Sequence, residues 1–286
     1  MTTRMRPHRI GFALAAGGML LISLDSLGIR LSKVSSWDVA FWFGIFTAAA
    51  MSVVIRIRTG AGPIAVVRTN PMPVLGSGVL QAASTTFFIL AINSTTVSNT
   101  VVIVAAAPIV AAAVARVVLG ETITARTGLA IVVSIAGILM IVGGSLDAGR
   151  LEGDLYAVAA IVAFAANLTI WRAQPGQDWA IAIALGGVIM AVVAVVPADP
   201  ASVTGRALVI LAVLGGITGP SGRVAVASST RYLPAAQVSL FTPVETVAAS
   251  GWAWIFLSEA PPAATIAGGV IVIAAVVYGT VQHGAS

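Results

Sequence analysis

Charged and polar side chains inside long apolar runs are the residues of this chain that could do chemistry. Glu245 lies about eleven residues into the apolar run 234–257, and Arg223 lies within the run 207–229. A charge at the centre of a membrane helix costs about 2.5–3.5 kcal/mol on insertion scales, so it usually faces a cavity or a partner. Glu245 is therefore predicted either to bind a polar solute or a proton, or to pair with another helix. Arg223 is the candidate for that partner.

Polar and aromatic side chains around Glu245 recur at helical spacing. Gln237, Phe241 and Glu245 are each four residues apart, and Thr242 lies beside them. Residues at this spacing share one face of a helix. The pattern predicts a stripe that binds a polar solute, and hydrogen bonding between helices is the structural alternative.

Amide and aromatic groups also share helix faces in two other apolar runs. Gln81, Thr85 and Phe88 do so in one run, and Asn167 and Trp171 do so in another. Such groups suit an amphipathic amino acid, because an amide orients the charged end and a ring covers the apolar end. For Trp171 the alternative is a place in the interfacial belt of aromatic side chains.

Two further polar residues have competing interpretations. Asp25, in the outer third of the first run, is suited to bind a substrate ammonium or to gate the outer side. It is also suited to cap its helix or to pair with Arg30. Asn99, near the start of the fourth run, is predicted to be either a ligand or a helix cap.

Glycine and proline inside the apolar runs predict breaks in the helices. Gly219 and Pro220 come just before Arg223, while Pro108 and Pro243 lie in the fourth and ninth runs. Proline removes a backbone donor, and a broken helix can present its carbonyls to a cavity, as in many transporter sites. Close packing with a harmless kink is the alternative.

The composition places these residues in an all-α integral membrane protein. The chain is 58% hydrophobic and 9% charged, with a mean hydropathy of +1.03 and no cysteine. A helix needs about 20 apolar residues to cross a hydrocarbon core. Ten runs of about this length are present: 10–29, 37–57, 72–92, 97–118, 124–144, 153–172, 179–197, 207–229, 234–257 and 263–282.

The basic residues lie in short joints between these runs and predict the topology. With the N-terminus in the cytosol, ten arginines fall on the cytosolic side against four basic residues outside, which favours two cytoplasmic termini. The cytosolic set is Arg4, Arg6, Arg9, Arg56, Arg58, Arg68, Arg116, Arg126, Arg172 and Arg231, and the outer set is Arg30, Lys33, Arg150 and Arg206. This distribution indicates membrane topology, and no nucleic-acid partner is predicted.

The sequence is built twice. An apolar run with a proline ends in Leu119-Gly120-Glu121 in the first half and in Leu257-Ser258-Glu259 in the second. Ala107-Pro108 precedes the first motif, and Thr242-Pro243 precedes the second. Because five helices is an odd number, the second half would enter the membrane from the opposite side. Inverted repeats of this kind are typical of transporters with a site near the midplane.

These motifs resemble those of the drug/metabolite transporter superfamily, of the EamA type, and the chain looks most like its YddG-like branch of bacterial amino-acid exporters. The resemblance implies ten transmembrane helices in two inverted five-helix repeats, 1–147 and 148–286, around a central cavity. It also implies an inner-membrane secondary transporter of small organic solutes. The leading hypothesis is export of aromatic or other neutral amino acids by alternating access, with protons as a candidate coupling ion.

Other functions are weighed against this one. They are multidrug or metabolite efflux, a facilitated-diffusion permease and, less favoured, a membrane-embedded lipid enzyme. No phosphate-binding loop is present, and His8 and His283 lie near opposite ends of the chain, so no catalytic residue, metal or cofactor is predicted. The expected partners are a small-molecule substrate and membrane lipids, and a monomer would suffice.

Overall fold

The regular secondary structure is helical throughout the described part of the chain. A computed structural model describes residues 7–60, 71–119, 125–146, 150–174, 176–233, 238 and 241–280. In the first half the helices are α1 (Pro7–Ser32), α2 (Ser36–Thr59), α3 (Pro71–Ser94), α4 (Val97–Val104), α5 (Ala107–Leu119) and α6 (Ala125–Leu146). In the second half they are α7 (Leu151–Ala173), α8 (Ala180–Ala194), α9 (Gly205–Val213), α10 (Gly219–Ser229), α11 (Thr242–Leu257) and α12 (Ala263–Thr280).

Many of these helices are long and apolar enough to cross a bilayer. Six stretches meet both conditions: Arg9–Ser32, Ser36–Thr59, Pro71–Ser94, Val97–Val114, Leu151–Ala173 and Gly205–Ser229. Shorter apolar helices cover Gly128–Ile141, Ala180–Ala194 and Ala263–Ala275. The chain is therefore a multi-pass membrane protein. The count of ten spans remains a prediction.

Two of the apolar runs are interrupted within the membrane-length stretch. The fourth run divides at Ala105–Ala106 into α4 and α5, and Pro108 is the second residue of α5. Proline fits the first turn of a helix, where its missing N–H has no intrahelical partner anyway. A new helix therefore begins at Ala107, with Pro108 in its first turn.

The eighth run contains a π-helical turn, Leu214–Thr218, between α9 and α10. The Thr47 hydroxyl on α2 donates to the Gly215 carbonyl at 2.8 Å. A Cβ on Gly215 would lie 2.7 Å from the Phe43 carbonyl oxygen, so only glycine permits this approach. Such turns are frequent at functional sites. This one comes directly before the helix that carries Arg223.

Contacts between helix ends fall into two groups. At one end of the bundle, Arg30 donates to the Thr95 carbonyl at 2.6 Å, and the Asn93 amide donates to the Ser36 hydroxyl at 3.0 Å. We call this the Thr95 end. At the opposite end, which we call the Asp178 end, Arg58 lies 3.8 Å from Asp178. The end of α1, the start of α2 and the end of α3 thus lie together, so these three helices alternate in direction.

Helices of the two halves pack against each other through paired glycines. A Cβ on Gly187 of α8 would lie 2.7 Å from the Gly44 carbonyl oxygen of α2. A Cβ on Gly268 of α12 would lie equally close to the Gly137 carbonyl oxygen of α6. Association of helices in lipid depends on such close approach, because lipid tails are as apolar as leucine. Gly18 of α1 and Gly222 of α10 approach each other in the same way, so glycine joins the two halves at several seams.

Candidate functional site

Arg223 reaches the interior of the bundle because residue 219 has no side chain. The Arg223 side chain leans back along α10 toward Gly219, the usual direction in an α-helix. A Cβ at position 219 would lie 2.9 Å from Arg223 Nη1 and 2.6 Å from Phe43 Cζ. The guanidinium carbon lies 5.2 Å from the centre of the Phe43 ring. Gly219 therefore leaves the space in which the guanidinium and this ring meet.

Arg223 forms a buried ion pair with Asp25 of α1. Its Nη1 donates to Asp25 Oδ2 at 2.9 Å, and both side chains are buried. This pairing replaces both pairings that the sequence suggested, since Arg223 does not bond Glu245 and Asp25 does not bond Arg30. Asp25 Oδ1 is buried without a hydrogen-bond partner. Only one of the two Asp25 carboxylate oxygens, Oδ2, therefore takes part in the pair.

A row of hydrogen bonds continues from Arg223 into α3 and α7. Arg223 Nη2 donates to the Thr85 hydroxyl at 3.4 Å, and Gln81 Nε2 donates to the same oxygen at 2.9 Å. Asn167 Nδ2 then donates to Gln81 Oε1 at 3.3 Å. The row therefore links three of the predicted path residues to Arg223, Thr85 directly and Gln81 and Asn167 in turn.

The row ends in a buried seam between α3 and α7. The Ser77 hydroxyl donates to Asn167 Oδ1 at 2.6 Å and accepts from the Trp171 indole N–H at 2.8 Å. The Trp171 ring packs 6.3 Å from Trp179, and both rings are buried. Trp171 is thus part of the packed interior and not of an interfacial belt. Sequence reasoning missed Ser77, although its place four residues before Gln81 on one face of α3 was a usable signal.

A small cavity of about 50 Å³ lies beside Arg223. Its polar lining is Gln81, Ser84, Thr85, Arg223 and Glu245, and its larger apolar lining is Ile22, Phe88, Val104, Ile161 and Phe164. The predicted residues Gln81, Thr85 and Glu245 border this cavity. Asn167 and Trp171 lie behind its wall.

Glu245 is the cavity residue with the most unusual environment. It lies in the first turn of α11 and is 5% exposed. The sequence places Glu245 about eleven residues into its apolar run, while α11 begins at Thr242 and most of the run before it lies outside the described residues. A carboxylate in the first turn interacts favourably with the helix dipole. Within the described ranges its carboxylate has no hydrogen-bond partner. Gln237, predicted on the same face, lies outside the described residues.

The residues around Glu245 fasten α11 to its neighbours. Pro243 lies in the first turn of α11, while Phe241 precedes the helix and packs 5.5 Å from the Phe12 ring of α1. The Thr242 hydroxyl donates to the Ala105 carbonyl at 3.4 Å. The Thr246 hydroxyl donates to the Val101 carbonyl at 2.8 Å. These contacts tie α11 to α4 and to the break that follows α4.

Asn99 belongs to a second polar cluster, at the Thr95 end. Its Nδ2 lies 3.4 Å from both the Thr95 hydroxyl and Asp154 Oδ1, and its Oδ1 accepts from the Thr265 hydroxyl. The cap of α4 is Thr96, whose hydroxyl accepts from the Asn99 backbone N–H at 3.1 Å. Asn99 therefore joins α4 to α7 and α12, and it is neither the cap nor part of the cavity lining.

The arrangement around the cavity can bind a charged solute. When Asp25, Arg223 and Glu245 are all ionised, the three groups together carry one negative charge. The Asp25–Arg223 pair leaves the second carboxylate, on Glu245, available to a cation. No group of three or more His, Cys, Asp or Glu side chains in the described segments is placed to hold a metal.

The comparisons with known proteins agree with a transporter. The model of the EamA-like transporter family matches residues 9–143 and again 151–280. Of the solved structures, 17 chains match, and one, described only as the crystal structure of a protein, has a TM-score of 0.69 at 15% identity. That match covers 97% of this chain and 98% of the other, and it shows a shared fold. No curated protein matches significantly. With both family matches spanning almost the whole sequence, the chain belongs to the EamA-like transporter family, within the drug/metabolite transporter superfamily, and is a membrane transporter of small solutes.

Proposed function

We propose that this protein is a secondary transporter that exports neutral amino acids, aromatic ones among them, across a bacterial inner membrane. In this proposal, residues 1–147 and 148–286 form two inverted five-helix repeats with both termini in the cytoplasm. Together they would make ten spans around the cavity that holds Arg223 and Glu245. The solute would enter from the cytoplasm and leave on the outer side by alternating access.

The observation that carries the proposal is the combination of charges and rings around one cavity. Glu245 offers a carboxylate without a hydrogen-bond partner in the described residues, which suits the ammonium of an amino acid. Arg223 offers a guanidinium, whose fork of donors matches a carboxylate. Phe88 and Phe164 supply apolar surface for the side chain of the solute. Few polar groups in a mostly apolar pocket are typical of small-molecule sites.

The arrangement of the helices favours alternating access. Two places where a helix is broken or begins beside a proline, α4–α5 and α11, contribute to the cavity through Val104 and Glu245. Discontinuous helices at the interface of two repeats are common at transporter sites. The alternation of helix direction from α1 to α3 is in keeping with the proposed topology.

A second candidate is efflux of lipophilic cations. When Asp25, Arg223 and Glu245 are all ionised, their net negative charge favours it, and a solute without a carboxylate would leave the Asp25–Arg223 pair intact. Aromatic rings near a carboxylate also attract a cation. This alternative shares the cavity with the first and differs in the charge of the solute.

Uptake into proteoliposomes of purified protein separates these candidates. The panel consists of labelled amino acids and tetraphenylphosphonium, each with and without an imposed pH gradient. Saturable uptake of a group of neutral amino acids, competed by unlabelled members, is expected. Uptake of tetraphenylphosphonium alone would refute amino-acid transport and support the second candidate. An effect of the gradient would identify protons as the coupling ion.

A further inference from the structure

Glu259 lies two residues after the end of α11 and contacts a helix of the other half. The Leu257-Ser258-Glu259 motif ends α11 with Ser258 in the left-handed conformation, at a φ of 57°. From there the Glu259 carboxylate accepts from the Val97 backbone N–H at 2.8 Å. Val97 is the first residue of α4, where unpaired N–H groups and the helix dipole favour a negative charge. The Glu259 side chain thus accepts a hydrogen bond from one of the unpaired N–H groups at the start of α4.

Arg30 completes this contact from a third helix. Arg30 Nη2 lies 3.8 Å from the same Glu259 oxygen and donates to the Thr95 carbonyl at 2.6 Å. The two charged side chains are 30% and 20% exposed, so the ion pair itself contributes modestly. We call Arg30, Thr95, Val97 and Glu259 the Glu259 cluster. It joins the end of α1, the α3–α4 joint and the end of α11.

The Glu259 carboxylate is not needed to end its own helix. The backbone N–H groups of Ser258 and Glu259 both donate to the Ala253 carbonyl, the second at 3.2 Å, and close the helix end around the left-handed Ser258. These bonds use the backbone alone, and a substitution at position 259 would preserve them. The carboxylate serves the contact between helices, so its role can be tested separately from helix termination.

Helix α11 connects the Glu259 cluster to the cavity. Glu245 and Glu259 are fourteen residues apart in the sequence, which is about 21 Å along a helix at 1.5 Å per residue. Helix α4 connects them too, because it starts at Val97 in the cluster and carries Val104 on the cavity wall. The Thr246–Val101 hydrogen bond holds the two helices side by side. Only a tilt of α11 relative to α4 about this bond would displace Glu259 from Val97.

We propose that Glu259 is a positioning residue that holds the Thr95 end of the cavity closed and is released when that end opens. This inference rests on the proposed transport function only where it assigns the release of Glu259 to a step of the transport cycle. In the proposed topology the Thr95 end faces outward. The Glu259 cluster is then the closure of the outer side, and α11 transmits its state to Glu245.

Labelling of a single cysteine tests this proposal without any substrate. The chain has no cysteine, so Ser84→Cys places one thiol on the cavity wall of an otherwise unreactive protein. A membrane-impermeant maleimide is added to right-side-out and to inside-out vesicles. Glu259→Ala is expected to raise the labelling rate at least threefold from the face at which Glu259 lies. From the opposite face the rate should be unchanged or lower.

Two further variants calibrate the result. Glu259→Gln keeps an oxygen that can accept from Val97 but loses the charge, so a smaller increase is expected. Glu152→Gln is the matched control, because Glu152 is near the Thr95 end but bonds the exposed Tyr156 hydroxyl, and no change is expected. If Glu259→Ala does not yield folded protein, Glu259→Gln and Arg30→Gln provide the same test.

Two outcomes would overturn the inference. One is an unchanged labelling rate in folded Glu259→Ala or, failing that variant, in both Glu259→Gln and Arg30→Gln. The other is an equal increase from both faces, which would indicate general loosening of the bundle. Because no solute is involved, a failure of amino-acid uptake leaves this test intact. Conversely, unchanged labelling would not affect the proposed substrate class.

Discussion

The most consequential residues of the cavity are held by partners far away in the sequence. Asp25 and Arg223 are 198 positions apart, yet they form the buried ion pair beside the cavity. Burying two charges is costly, and breaking such a pair leaves one charge uncompensated, whereas replacing both is often tolerated. The Asp25 carboxylate therefore holds the Arg223 guanidinium in place beside the cavity. Glu245 adds a second carboxylate, which has no hydrogen-bond partner among the described residues.

A double-mutant cycle measures the strength of the Asp25–Arg223 pair. Asp25→Asn or Arg223→Gln alone is expected to lower the free energy of unfolding by about 3–5 kcal/mol, because each leaves a buried charge unpaired. The double variant should recover part of this loss. Unfolding in detergent, followed by tryptophan fluorescence, provides the measurement.

The exposed Arg58–Asp178 pair at 3.8 Å is the matched comparison for this cycle. Arg58→Gln should cost less than about 1 kcal/mol, as is usual for ion pairs at a surface. Equal losses for Arg58→Gln and Arg223→Gln would show that the buried pair has no special role in stability.

Gly219→Ala tests the placement of Arg223 without changing any charge. The new methyl group would contact Arg223 Nη1 and the Phe43 ring, so the guanidinium should leave Asp25. We expect a loss of about 1–3 kcal/mol of stability, as for overpacking elsewhere, and a transport rate reduced about tenfold. Gly128→Ala on α6 is the control, because nothing lies within 4 Å of a Cβ there. Wild-type transport by Gly219→Ala would contradict this account of the site.

At the scale of helices, the sequence predicts which residues share a helix face better than it predicts where each helix begins and which helix it contacts. Gln81 and Thr85 were assigned to one face of a helix, and they do lie together, since helical periodicity is a local property of the sequence. The first turn of α11 was not predicted, because an apolar run does not show where inside it a helix begins. The partner of Arg223 was missed for a different reason. It depends on how α1 packs against α10, and no local pattern contains that packing.

The end of α11 provides a prediction for this scale. Ser258 adopts a left-handed φ of 57°, which glycine accepts without steric cost and serine does not. The first copy of the motif has glycine at the corresponding position, Gly120. Ser258→Gly is therefore expected to stabilise the protein by about 0.5–1 kcal/mol. A higher thermal midpoint in detergent would agree, while a lower one would show that the serine hydroxyl has a role of its own.

At the scale of the whole molecule, the family model matches two segments, 9–143 and 151–280, and each segment contains one copy of the duplicated motif. The repeat was visible in the sequence because its motifs recur in the same order, from the proline to the Leu-Gly-Glu or Leu-Ser-Glu end. The seams between the halves were not visible. Gly44 with Gly187 and Gly137 with Gly268 pair across more than 120 residues, and the sequence alone marks them only as small side chains.

The most direct test of the central claim is counterflow in proteoliposomes. Vesicles are loaded with an unlabelled neutral amino acid, and entry of the labelled form is followed in wild type, Glu245→Gln and Glu152→Gln. The account predicts transient accumulation of label in wild type and in Glu152→Gln, with at least a tenfold lower rate in Glu245→Gln. Absence of trans-acceleration in wild type would contradict a carrier, and full activity in Glu245→Gln would contradict the assigned site.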